Sequence, residues 1–168
     1  MEAYEAIITK RDTRFYTDEA IDDEALRRIV QAGRMAGSSK NTQPVRLVVL
    51  RDKGWMQEVA ECGQFSDPLK AATAAIAVCC LPNGSDFDAG RAAQNMMVAA
   101  WNEGLASCPT SMHDQPCVTG KLELPEGWRV VVILAFGHPN REMPMSLGAK
   151  RTDWDEYAGW EKWGRGSE

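Results

Sequence analysis

Short apolar runs that alternate with helical stretches predict a mixed β-sheet with helices on both of its faces. Three observations carry this expectation. Residues 45–50, 74–81 and 128–136 are apolar or β-branched runs of strand length. The stretches between them carry apolar residues at helical spacing. The chain has 168 residues, enough for a full core, and no repeat or low-complexity linker divides it. A single domain over residues 1–168 is therefore expected, with residues 140–168 as a C-terminal tail.

Residues 2–9 read as a short helix. Asp22 suits the N-cap of a second, which places Leu26, Ile29, Val30 and Gly33 on one face. The β-branched run at 45–50 reads as a buried strand. Residues 53–62 are helical with Met56, Val59 and Ala60 inward, and residues 74–81 form a second buried strand, closed by a turn at Pro82-Asn83-Gly84. The longest helix covers 88–102. Its Ala89, Ala92, Ala93, Met96, Met97, Ala99 and Ala100 reach nearly all faces, so it should be central and close-packed. Gly104 ends it as a C-cap. A short strand over 106–112 follows, then a helix with Pro116 in its first turn, then the strand at 128–136. Trp154, Tyr157, Trp160 and Trp163 put four large aromatics within ten residues of the tail. That is too much apolar surface to leave in water, so the tail docks on its own domain or on another subunit.

Bulk properties remove several function classes. A net charge of -5 and a pI near 5.1 argue against nucleic-acid or anionic-membrane partners. No apolar run approaches the roughly 20 residues that span a bilayer, and the N-terminus lacks the basic and apolar regions of a signal peptide. Five cysteines without CxxC spacing fit a reducing cytoplasm better than a disulfide framework. There is no GxGxxG, Walker A, HExxH or G-x-S-x-G segment, so dinucleotide cradles, NTP loops, zinc sites and a serine-hydrolase elbow are not indicated. His113 and His138 read as loop and strand-exit residues, and vicinal Cys79-Cys80 reads as core.

Two segments stand out against this background. Lys10-Arg11-Asp12-Thr13-Arg14 puts three cations within five residues of an acidic chain. Arg suits bidentate contact with phosphate and Lys a point-charge contact, although the same residues also fit a solvated turn. Gly37-Ser38-Ser39-Lys40-Asn41-Thr42-Gln43-Pro44 offers hydroxyls and amides just before a strand, or simply a helix-to-strand connection. Together they indicate a phosphate-bearing organic cofactor.

The pair resembles the FMN-dependent nitroreductase family. There an Arg-Arg-Ser-x-Arg stretch meets the flavin phosphate, and a Pro-Ser-x-x-Asn-x-Gln-Pro loop meets the flavin. The resemblance runs without a gap from Ile7 to Leu50 and extends in weaker form to Trp163. Asp12 departs from the family's Ser, Gly37 from its Pro and Val45 from its aromatic. A carboxylate at position 12 would oppose a phosphate unless Arg11 or Arg14 neutralises it. A third segment, Gly104-Leu105-Ala106-Ser107-Cys108-Pro109-Thr110, is similar to the family's Gly-Leu-Gly-Ser stretch, whose following backbone runs along the flavin ring. A fourth, Gly148-Ala149-Lys150-Arg151, is a basic turn before the last helix or, by resemblance, the family's closing cation at Arg151 and then Lys150, with Thr152 and Asp153 where a Pro is usual.

The resemblance implies an α+β nitroreductase-like fold, an intertwined homodimer, and FMN held by Lys10, Arg11, Asp12, Arg14, Ser38, Ser39, Asn41, Gln43, Cys108, Pro109, Thr110, Lys150 and Arg151. It implies a ping-pong oxidoreductase. NAD(P)H would deliver hydride to flavin N5, and a nitroaromatic, quinone or activated alkene would then collect it. No side chain is expected as a catalytic acid, base or nucleophile, and Cys108 lacks an activating His. Two other readings use the same residues: a flavin-storage module without turnover, and a flavin-consuming enzyme of the same fold.

Overall fold

A computed structural model describes residues 2–143 and 150–164. The elements, in order, are α1 (Ala3–Thr9), α2 (Asp23–Arg34), β1 (Val45–Leu50), α3 (Lys53–Ala60), α4 (Asp67–Ala71), β2 (Ala74–Cys80), α5 (Asp86–Asn102), β3 (Ala106–Thr110), α6 (Gln115–Lys121), β4 (Arg129–Gly137) and α7 (Trp154–Tyr157). The strands form one sheet in the order β1-β2-β4-β3, with every ladder antiparallel. Among the described residues, the parallel component of the expected mixed sheet is a single bridge, Asp12 to Ser107.

Helices cover both faces, as the alternation predicted. The reason is legible along β2, whose side chains point to opposite sides of the sheet in turn. Ala74, Ile76 and Val78 join Leu26 and Ile29 of α2 and Ala89, Ala93 and Met96 of α5. Ala75, Ala77 and Cys79 join Met56 and Val59 of α3, Leu69 of α4 and Val118 of α6. β2 is buried at every position because it has a strand on each side and a helical layer on each face.

Local signals explain most boundaries. Asp22 caps α2 by accepting from the N–H groups of Glu24 and Ala25. Ser85 and Asp114 cap α5 and α6 in the same way. Gly104, at φ 77°, closes α5: its N–H bonds Trp101 O and the Leu105 N–H bonds Ala100 O. Where α2 crosses α5, Gly33 has no room for a side chain, since a Cβ would lie 2.8 Å from Met96 Cγ.

Three expectations need correction. The strand at Val45–Leu50 is not buried along its length. It is a sheet edge with only Leu50 fully enclosed, because β2 lies on one side and no described strand on the other. α4 was not anticipated. It has five residues and Pro68 near its start, so it shows no helical period. The five cysteines are not all free: Cys62, just past α3, and Cys117 in α6 form a disulfide with Cα atoms 5.6 Å apart, leaving Cys79, Cys80 and Cys108 as free, buried thiols.

Candidate functional site

The extended segment after α1 crosses the end of β3. Asp12 bridges to Ser107, and the Thr13 N–H donates to Ser107 O at 3.0 Å. This pairing brings the segment that carries Arg14 beside residues 108–110. The three cations then take different paths. Lys10 turns inward, with its side chain 9 % exposed, pairs with the Asp12 carboxylate and lies 3.4 Å from Met97 Sδ of α5. Arg11 folds back onto the end of α1, donating to Ile8 O and Lys10 O at 3.0 and 2.9 Å. Arg14 is exposed. Among the described residues the ion-pair partner of Asp12 is Lys10 rather than Arg11 or Arg14.

Arg14 lines a cavity of about 480 Å³ together with Cys108, Pro109, Thr110, Phe65 and His113. Thr110 is fixed by its hydroxyl, which donates to Ile133 O at 2.8 Å. Thr13 is 2 % exposed, and its Oγ1 has no hydrogen-bond partner among the described residues. A buried hydroxyl without a partner inside a cationic segment is a donor in want of an acceptor.

Cys108 is buried, and its environment holds it as a thiol. Burial raises its pKa above the ordinary value, and the Asp12 carboxylate adds to the shift, while Arg14 and Lys10 oppose it. Tyr16 responds in the same sense, raised first by burial and then by Cys108 and Asp12. Both groups stay neutral at physiological pH.

Phe65 and His113 were not recognised together in the sequence. Phe65 is 78 % exposed, and its ring meets that of His113 edge-on at 6.1 Å. The His113 Nδ1 accepts the Gln64 N–H at 3.4 Å, and the Asp114 N–H donates to Cys62 O at 3.1 Å. The Cys62–Cys117 disulfide crosslinks these same two segments, so both walls of the cavity are tied at their base. An exposed aromatic in Gly63-Gln64-Phe65-Ser66, outside any helical period, was the available signal.

The loop at 38–43 lies elsewhere. It is anchored at the start of α5, where the Ser39 N–H donates to Asp88 Oδ2 at 3.3 Å. Ser38 Oγ accepts the Gln43 N–H at 2.8 Å, and Gln43 Nε2 donates to Asn41 Oδ1 at 3.2 Å. Lys40, Asn41 and Gln43 have φ of 50°, 54° and 49°. Three left-handed residues in four, none of them glycine, store strain of the kind that collects at ligand sites. Asp88 and Met97, the α5 residues that meet this loop and Lys10, are nine positions apart. That is about 13 Å along the helix and half a turn around it.

Of the fourth segment, Lys150 pairs with Asp153 at 3.7 Å and Arg151 is exposed. Gly148 and Ala149 lie outside the described residues. Neither Lys150 nor Arg151 lines the cavity that holds Arg14.

The nitroreductase family profile matches residues 7–74 and 82–138, which spans both loops and the β3 segment and stops before the tail. A protein of Archaeoglobus fulgidus, provisionally named NADH dehydrogenase/NAD(P)H nitroreductase, is 30% identical over 152 residues, covering 84% of this chain and 87% of its own. A provisionally named nitroreductase of Desulfovibrio desulfuricans, solved in complex with FMN, is 27% identical with a TM-score of 0.85, covering 97% of this chain and 98% of that one. The 5,6-dimethylbenzimidazole synthase of Rhodospirillum rubrum is 23% identical over 171 residues, with 81% of each chain covered. The fold is α+β and nitroreductase-like, and the family match supports an oxidoreductase. This chain belongs to the nitroreductase family.

Proposed function

We propose that this chain is an FMN-dependent oxidoreductase that takes reducing equivalents from NAD(P)H and passes them to a small organic acceptor such as a nitroaromatic, a quinone or an activated alkene. The observation that carries the reading is the shared cavity of Arg14 and residues 108–110, within the span matched by the family. Its residues fit FMN. An exposed guanidinium suits the phosphate, and about 480 Å³ lies within the range of cofactor pockets. Bound FMN would supply the two-electron chemistry.

The chain's own residues would bind and orient. Arg14 neutralises phosphate, while Lys10 cancels the Asp12 charge that would otherwise repel it. Cys108, Pro109 and Thr110 form a wall at the strand end, and the neutral Cys108 and Tyr16 add no charge there. Phe65 and His113 offer an aromatic wall against which a planar acceptor could stack.

The 38–43 loop supports a homodimer. The α5 residues that meet the loop and Lys10 lie about 13 Å apart along the helix and on opposite sides of it, which favours a ligand that takes the loop and the cationic segment from different protomers. In the proposed assembly Ser38, Ser39, Asn41 and Gln43 approach the partner's flavin, and the tail with Lys150 and Arg151 reaches across. The protein is proposed to act in the cytoplasm as one domain, on small molecules, without nucleic-acid or membrane partners. A flavin-consuming activity is the second reading, favoured by the similarity to the dimethylbenzimidazole synthase.

Anaerobic NADPH separates these readings from storage. The reductase should bleach bound flavin and recover its colour on adding an acceptor, whereas a storage module would stay yellow. Mass spectrometry of flavin after aerobic turnover would return intact FMN from a reductase and a fragment from a flavin-consuming enzyme.

Arg14→Ala should weaken FMN binding by about 1.5–3 kcal/mol, the range for a charge-assisted hydrogen bond, which is roughly ten- to a hundredfold in Kd. Titration of apoprotein with FMN measures it, and an unchanged Kd would remove Arg14 from the phosphate site. Cys108→Ala should keep most activity because its thiol stays protonated. A loss beyond about a hundredfold, near 3 kcal/mol in barrier, with FMN still bound would require a thiolate mechanism.

A further inference from the structure

We propose that Asp88 is the positioning residue that sets the conformation of the 38–43 loop, and through it the affinity for flavin. The proposal rests on the reading that this loop meets FMN. Asp88 lies in the first turn of α5, is 5 % exposed, and forms a long ion pair with Arg91, whose Nη1 is 4.0 Å from Oδ1. An acidic residue three places after an N-cap commonly turns back to the cap's own N–H. Asp88 instead sends Oδ2 to the Ser39 N–H, 49 residues away in sequence. A carboxylate withdrawn from water and held by one backbone donor and one distant guanidinium is costly unless those partners stay in place.

The loop needs such an anchor for two reasons. First, it carries the three left-handed residues Lys40, Asn41 and Gln43, which relax to ordinary backbone if released. Second, the two ends of the loop, at Ser38 and Gln43, border a cavity of about 350 Å³ that Asp88 also lines, so they face open space rather than packed side chains. Arg91 completes the bracket. Its guanidinium lies against Gly37, where a Cβ would fall 2.7 Å from Nη2, and the Phe87 ring lies 5.7 Å from its Cζ. Asp88 and Arg91, one helical turn apart, therefore grip the chain just before and just inside the strained turn. This holds Asn41 and Gln43 outward and exposed, ready for a partner outside their own protomer.

Three measurements on the full-length protein test this. In the apoprotein, trypsin cleavage after the exposed Lys40, followed by mass spectrometry of the 1–40 fragment, reports loop release. Asp88→Ala should speed this cut and raise the FMN Kd, each on the order of tenfold, as expected for loss of a hydrogen bond to a charged group. Asp88→Asn keeps an acceptor oxygen and should restore both. Asp88→Ser, too short to reach Ser39, serves if the alanine variant does not fold. Asn41→Ala should also weaken FMN, and adding Asp88→Ala to it should weaken binding little further, because both act through one loop. Additive losses would mean a general structural effect and overturn the proposal. So would unchanged cleavage at Lys40, or faster cleavage with an unchanged Kd. An unchanged Kd in Asn41→Ala would overturn the loop's role with flavin and this proposal with it. Loss in Asn41→Ala without loss in Asp88→Ala would overturn Asp88 alone.

Discussion

Deletion of residues 150–168 is expected to abolish the dimer and flavin binding in a single step. Trp154, Tyr157, Trp160 and Trp163 are all exposed, and α7, at four residues, cannot bury them by folding on itself. Aromatics of this size cover roughly 150–250 Å² each, so together they present well beyond the few hundred Å² of apolar patch usual on a monomer. The exposed Tyr4, Ile7 and Ile8 of α1 add to the uncovered surface. An obligate interface buries on the order of 2,000 Å² or more, and the tail is the natural clasp for one. If each site takes Arg14 from one chain and the 38–43 loop from the other, a monomer has half of each site. Sedimentation recorded at protein and flavin wavelengths should show a colourless monomer after truncation. A truncated, stable monomer with stoichiometric FMN would end the composite-site proposal.

Reducing the Cys62–Cys117 disulfide should produce the largest loss of stability. The two cysteines are 55 positions apart, and opening a loop of that size costs about 4 kcal/mol in the chain-entropy account, or roughly 10 °C in Tm for a chain of this length. Thermal unfolding with and without reductant measures the effect, alongside a thiol count that should rise from the three of Cys79, Cys80 and Cys108 to five. Equal melting temperatures at three and five thiols would show that the crosslink does not hold the fold. Loosening should be felt at the cavity too, since the disulfide ties the segments carrying Phe65 and His113. In a reducing cytoplasm such a bond persists only as a reversible one, so the proposed location and this pair together make the walls of the cavity sensitive to thiol reductants.

The sequence was legible where one residue type has one local job. Asp22 before Leu26, Ile29 and Gly33 announced α2, the uninterrupted apolar run announced β2, and Gly104 marked the end of α5. It was less legible where burial depends on neighbours. Val45–Leu50 reads as a core strand from its β-branched residues, yet its place at the sheet edge is a property of strand order, which local pattern does not carry. The Cys62–Cys117 pair has no local signature, because its members meet only once α3 and α6 cover the same face of the sheet. The candidate site divides in the same way. Lys10, Arg11 and Arg14 are conspicuous as a cluster, but which of them stays exposed depends on the Asp12–Ser107 bridge and on Met97 drawing Lys10 inward. Phe65 and His113 become neighbours only through the fold.

Gly33 has a consequence for motion. With Met96 Cγ 2.8 Å and Leu47 Cδ1 3.3 Å from where a Gly33 Cβ would stand, α2, α5 and β1 meet closely at a point where sliding one past another would bring clashes. Helix shear is thereby suppressed, and the slower breathing of the molecule falls to segments outside that lock. Those segments are the strained turn at 38–43 and the extended stretch through Arg14, which bear the two groups of candidate flavin contacts. If the two segments hold flavin as proposed, its exchange would be governed by them rather than by sliding of α2 against α5.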